Sequence, residues 1–247
     1  MIFSKTLLGQ TLQTLGWLFF AISLGLFLDS NFFAEHYYYN AQHIITLLII
    51  PLFLFLYYKA TSRTRELLIY ATLIAIVGEY LFSKTLGMYT YRLKNIPHYI
   101  PPGHAIVFLL VYYFSRKSQV KYNRKKIEVF CTSLIIPFSL YFLILKNDIL
   151  GFVCTFFVFY FLRKHPKERL FFLVMYCVVA ITELIGTSLE CWQWPSVAFN
   201  KLNFLPSANP PAGISLFYFG LDRGTMSFYK RRHKAAWKRL KKIRSFN

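Results

Sequence analysis

Eight apolar runs, at roughly 8–28, 42–58, 66–88, 100–115, 127–145, 149–162, 169–189 and 210–222, leave this chain little surface that water can solvate. Most approach the about 17–25 residues with which a tilted helix crosses a bilayer, while the fourth and eighth fall short. Because 56% of the residues are hydrophobic and 20% aromatic, the pattern predicts an all-α, polytopic membrane bundle rather than a soluble globule. The first run follows a single early lysine and has no small-x-small cleavage pattern, so it reads as a retained span.

A net charge of +19 would suit a nucleic-acid binder if the bases were spread over one face. They are not. With a cytoplasmic N-terminus, 24 of the 29 basic residues fall at Lys5, in the loops 59–65, 116–126 and 163–169, and in the tail from Arg223. Only Lys84, Arg92, Lys94, Lys146 and Lys201 fall in the outer half or beyond. This split obeys the positive-inside rule at every loop and predicts eight spans with both termini in the cytoplasm, in a membrane such as the bacterial inner membrane. Nucleic acid is excluded as a partner.

The two halves repeat each other under low identity. Superposing Glu79 on Glu183 without gaps sets Lys59 against Arg163, Arg63 against Lys167, Arg65 against Arg169 and Ser83 against Thr187. Downstream, "IPHYIPPG" (96–103) parallels "LPSANPPAG" (205–213), with five extra residues in the second outer loop. Phe108 and Phe217 then share one offset from their proline pairs. Segments 1–126 and 127–224 are therefore expected to be parallel four-span repeats, followed by a basic cytoplasmic tail at 225–247. A binding site between such repeats is the rule in membrane proteins built this way.

Helical rise then places the acids. Glu79 lies fourteen residues beyond Arg65, and Glu183 fourteen beyond Arg169, which at ~1.5 Å per residue lifts each about 21 Å into a core of about 30 Å. His104 and Asn209, counted back from Arg116 and Arg223, reach nearly the same level. Each proline pair should begin a helix partway down, aiming its unpaired amides at that level. A charged group so deep costs roughly 2.5–3.5 kcal/mol on insertion scales. Such groups usually mark sites or relays, the alternative being a polar clasp between helices.

Glu79 and Glu183 are accordingly the candidate proton donor and acceptor, His104 an assistant in transfer, and Asn209 a group that orients substrate or water. Tyr89, Tyr91, Trp192 and Trp194 either belong to an interfacial aromatic belt or wall a substrate entrance. Glu35, His36, His43, His98 and His104 lack the compact spacing of metal ligands, so no metal or other cofactor is predicted. Cys131, Cys154, Cys177 and Cys191 read as small buried hydrophobes, and Cys191 beside Glu190 lacks a base that would make it a nucleophile. In the tail, Tyr229, Ala236, Trp237, Leu240 and Ile243 form a stripe among bases, the pattern of a helix on an anionic inner leaflet, with a plain topology anchor as the alternative.

The stretch "GEYLFSKTLGMYTYRLKNIPHYIP", with Glu79 followed by Gly87, Tyr89 and Tyr91 and then by two spaced prolines, resembles the membrane-embedded carotenoid hydratase family. The resemblance covers about 25 residues of the first half. It implies addition of water to the end of a polyene, with Glu79 as the acidic position. Taken together, the expected function is an integral membrane enzyme acting on a lipid-soluble substrate. A proton-coupled transporter or flippase using the same residues is the alternative, and a scaffold without a site a third possibility.

Overall fold

A computed structural model describes residues 6–245, with side chains through Arg239. Lys5 lies outside the described residues, as do the side chains of Leu240 and Ile243 in the tail stripe. Eight long helices follow in order: α1 (Leu7–Leu28), α2 (Gln42–Lys59), α3 (Ser62–Thr85), α4 (Ile100–Phe114), α5 (Arg124–Lys146), α6 (Ile149–Lys164), α7 (Pro166–Ser188) and α8 (Ser215–Arg232), before a tail helix α9 (Lys234–Ser245). Five of them, α1, α2, α3, α5 and α7, are long and apolar enough to cross a membrane.

Their surfaces say where they live. The most apolar windows of α1 and α2 are only 17% and 11% buried, and side chains such as Trp17, Leu47, Leu48 and Phe55 are left bare. Exposed apolar area on that scale is stable against hydrocarbon and would associate in water. The protein is therefore compatible with integration into a membrane.

Helix starts follow local chemistry. Hydroxyls of Thr6, Ser30 and Thr61 and the carboxylate of Asp148 accept backbone N–H groups at the starts of helices that would otherwise leave them orphaned. Pro101 and Pro102 lie in the first turn of α4, where the missing N–H costs nothing. The second proline pair behaves otherwise. Asn209–Pro210 is a cis bond, the chain turns through 212–214, and α8 begins only at Ser215. The reason is Asp148, whose carboxylate accepts the amides of Ala208 (3.1 Å) and Ala212 (2.7 Å) and holds this stretch out of helical geometry.

α3 packs against α4 and α8, whereas α7 packs against α5, α8, α1 and α4. The outer loops meet through a two-stranded antiparallel ribbon, β1 (Thr90–Tyr91) with β2 (Trp192–Gln193), in which Tyr91 faces Trp192. The longer second loop also folds a hairpin, β3 (Val197–Ala198) with β4 (Leu202–Pro206). These pairings put both ring-bearing loops over the ends of α3 and α7.

Candidate functional site

Glu79 closes the regular part of α3, and from Tyr80 to Thr85 the helix widens to π geometry, a distortion frequent at functional sites. The carboxylate is only 5% exposed. Its Oε2 accepts hydrogen bonds from the Tyr89 and Tyr91 hydroxyls at 2.9 and 2.8 Å, and Oε1 meets His104 Nε2 at 3.0 Å. Burial, with the Glu79 charge added to it, raises the pKa of both phenols, so each keeps its proton and donates.

Glu183, 3% exposed on α7, has a different escort. The indole N–H groups of Trp192 and Trp194 donate to its Oε2 at 2.8 and 3.0 Å, and the Tyr218 hydroxyl approaches Oε1 at 3.4 Å. An indole nitrogen is a donor only, so Oε2 accepts twice and exchanges no proton with these partners. Gly186 makes this possible, because a Cβ there would meet the Trp192 ring at 2.1 Å.

The two escorts interlock. Tyr89 lies 4.8 Å from Trp194, Tyr91 6.1 Å from Trp192, and His104 5.0 Å from Tyr218, measured between ring centroids. Both acids, with His104 and all five of these rings, line one cavity of about 870 Å³. Beyond them the walls turn apolar along α1, α2 and α4, through residues such as Leu18, Ile49, Ile106 and Leu110. Such an arrangement can hold a long apolar molecule and present its end to two carboxyl groups and an imidazole.

Seven of the eight residues singled out from the sequence therefore gather in one place: Glu79, Glu183, His104, Tyr89, Tyr91, Trp192 and Trp194. Asn209 does not join them. Its Oδ1 accepts the Trp194 backbone N–H at 3.0 Å, and the residue borders a separate hollow beside Phe142, Lys146 and Thr187. It steadies the loop that carries Trp194 and has no face on the cavity.

Tyr218 was missed by sequence reasoning, although it neighbours Phe217 in the duplicated proline-phenylalanine spacing. So were two fully buried aspartates. Asp29 binds Arg92, Gln42 and Tyr99, fastening the loop before α4, and Asp148 does the equivalent before α8. Burial raises the pKa of Asp29 while those three partners oppose the rise. The available signal was scarcity, since the chain has only ten acidic residues.

Among the described residues no cluster of three or more His, Cys, Asp or Glu is placed to hold a metal. His36 bonds the Phe32 carbonyl and His43 the Asn40 side chain, each within its own segment. The four cysteines are free thiols, and buried Cys191 donates to the Leu26 carbonyl at 3.1 Å. Comparison with protein-family models, with curated proteins and with solved structures gives no significant match to this chain.

Proposed function

We propose that this chain is an integral membrane enzyme that transfers protons at one end of an elongated, lipid-soluble substrate, isoprenoid or another lipid. One observation carries the reading: two buried carboxyl groups and a histidine share one polar end of a large cavity whose middle is apolar. In the proposal the bundle has eight spans arranged as two parallel four-span repeats, with both termini cytoplasmic in a bacterial inner membrane. The basic tail lies on the anionic inner leaflet.

The reaction is of the hydratase or lyase type, in keeping with the resemblance of residues 78–101 to the carotenoid hydratases. Glu79, which can exchange a proton with His104 across 3.0 Å, delivers it to the terminal alkene carbon. The π electrons of that double bond form the new C–H bond and leave a carbocation on the adjacent carbon. Tyr89, Trp194 and their neighbours offer ring faces to this charge. Water then attacks the cation, and Glu183, held as an acceptor by two indoles, stabilises the charge and takes the released proton. Different partners give two like groups different duties.

The test is conversion of extracted membrane lipids by the purified protein in detergent, followed by mass spectrometry for a gain or loss of water. Activity without any ion gradient, abolished in Glu79→Gln, supports the enzyme. A proton-coupled transporter or flippase is the second reading, favoured by a cavity that runs from the acids to Lys117 beyond the other end of α4. It requires vectorial, pH-gradient-driven movement in vesicles with the substrate chemically unchanged.

A further inference from the structure

The cavity has a second polar end that the acid–base reading does not use. Gln13, Thr14 and Lys117 line it there, while Glu79, His104 and Glu183 line the other. Thirteen residues separate His104 from Lys117: α4 carries the chain to Phe114, Ser115 and Arg116 turn on from its end, and Lys117 follows with extended backbone, so at a rise of ~1.5 Å per residue or a little more the two side chains stand about 20 Å apart.

Among the described residues Lys117 is the only lysine or arginine on the wall. Its ammonium group has one partner among the described residues, the Gln10 carbonyl at a long 3.4 Å, and no carboxylate pairs with it. Partial burial lowers its pKa, the mark of a cation not fully solvated or compensated. Gln13 adds a carboxamide that makes no hydrogen bond with the described residues. It belongs to a second π-helical stretch, Leu12–Gly16, so both ends of the cavity adjoin a helix distortion that is frequent at functional sites. Thr14, by contrast, spends its hydroxyl on the Gln10 carbonyl and adds no free donor.

We infer that the far end of the substrate is an anion, a phosphate or a carboxylate, bound by Lys117 Nζ with the Gln13 carboxamide, so that an apolar chain of about 20 Å links it to the reacting end. This rests on the proposed enzyme reading and narrows its substrate class to anionic amphiphiles. A cationic mouth also fixes direction: the charged end stays at Lys117 and only the opposite end reaches the acids.

The position of the tryptophans allows a direct test. Trp17 lies one helical turn beyond Gln13, whereas Trp192 and Trp194 flank Glu183. Full-length protein in phosphatidylcholine nanodiscs would be titrated with hexadecyl phosphate brominated at its chain end, and with the matching alcohol, while tryptophan fluorescence is read. The phosphate should quench wild type and Trp17→Phe alike, because the bromine reaches Trp192 and Trp194. Lys117→Gln should weaken the phosphate about tenfold or more and leave the alcohol unchanged, as expected for loss of one charge-assisted contact. Equal binding of phosphate and alcohol to wild type, or a silent Lys117→Gln, overturns the anionic end while sparing the apolar cavity. Displacement of the chain by inorganic phosphate alone overturns assignment to an amphiphile, and absence of quenching by either chain defeats the cavity reading itself.

Discussion

The half that carries Glu79 is hollow, and the half that carries Glu183 is filled. Within their most apolar windows, 28% of α3 is buried but 61% of α7, although each bears its acid fourteen residues beyond an arginine. α7 is gripped by α5, α8, α1 and α4, so little space remains around it. In the first half α1, α2 and α4 touch one another yet leave a cavity between them and α3. The same ingredients thus serve two ends, one half supplying the chamber and the other a rigid wall that holds a carboxylate against it.

That contrast predicts unequal costs for equal changes. Glu79→Gln removes a group in contact with a proton-exchanging histidine and should reduce conversion about 10²–10⁴-fold with folding intact. In Glu183→Gln the amide oxygen still accepts from both indoles but the charge and the proton acceptor are lost; because the protonated alcohol formed by water attack is acidic enough to shed its proton to another water, the loss should be smaller than at Glu79, about tenfold. Equal losses measured in the same lipid-conversion assay would break the proposed division of labour.

The aspartates extend the comparison to stability. Asp148→Ala orphans the amides of Gly151, Ala208 and Ala212 in the tightly packed half, and thermal or denaturant unfolding should show a loss of about 3 kcal/mol or more. Asp29→Ala instead frees the side chains of Gln42, Tyr99 and Arg92; Arg92 keeps the carbonyls of Asp29 and Tyr39. A smaller loss is expected there. If Asp29→Ala unfolds the protein as readily, the first half is not the more yielding one.

Gly213→Ala probes the filled half at its tightest point. A Cβ there would come within 2.2 Å of the Gly151 carbonyl oxygen and 2.5 Å of the Thr155 amide, both backbone atoms that cannot rotate away. A destabilisation of about 2–3 kcal/mol follows from forced backbone movement. Unfolding midpoints unchanged by this substitution would show that α6 and the turn before α8 are not in such close contact.

How much of this was legible beforehand depends on the range of the interaction. Apolar runs located all eight long helices, because a run of side chains is a local property of the chain. Counting turns from Arg65 and Arg116 put Glu79 and His104 on one level, and in the structure they touch at 3.0 Å. The second proline pair defeated the same logic. Whether Ala212 offers its amide to a helix or to a side chain is decided by Asp148, 64 residues upstream. Asn209 was displaced from the cavity by the same turn, which aims it at the Trp194 backbone. Nor could periodicity show which half would be hollow, since that depends on how far α1 stands from α3.

Gly103 offers the smallest effect and the sharpest contrast with Gly213, because both follow a proline pair. In the first half a Cβ at this position would meet no atom within 4 Å, and the residue opens onto the cavity. It also lies within α4, where glycine gives up helix propensity for no visible contact. Gly103→Ala should therefore stabilise the fold by about 0.5–1 kcal/mol, opposite in sign to Gly213→Ala. Activity should separate from stability at this site: Gly103→Phe fills space one residue from His104 and should exclude the substrate while leaving the unfolding midpoint near that of wild type. A destabilised Gly103→Ala would mean that the chamber beside His104 is occupied by protein, and the hollow half would lose its meaning as a substrate chamber.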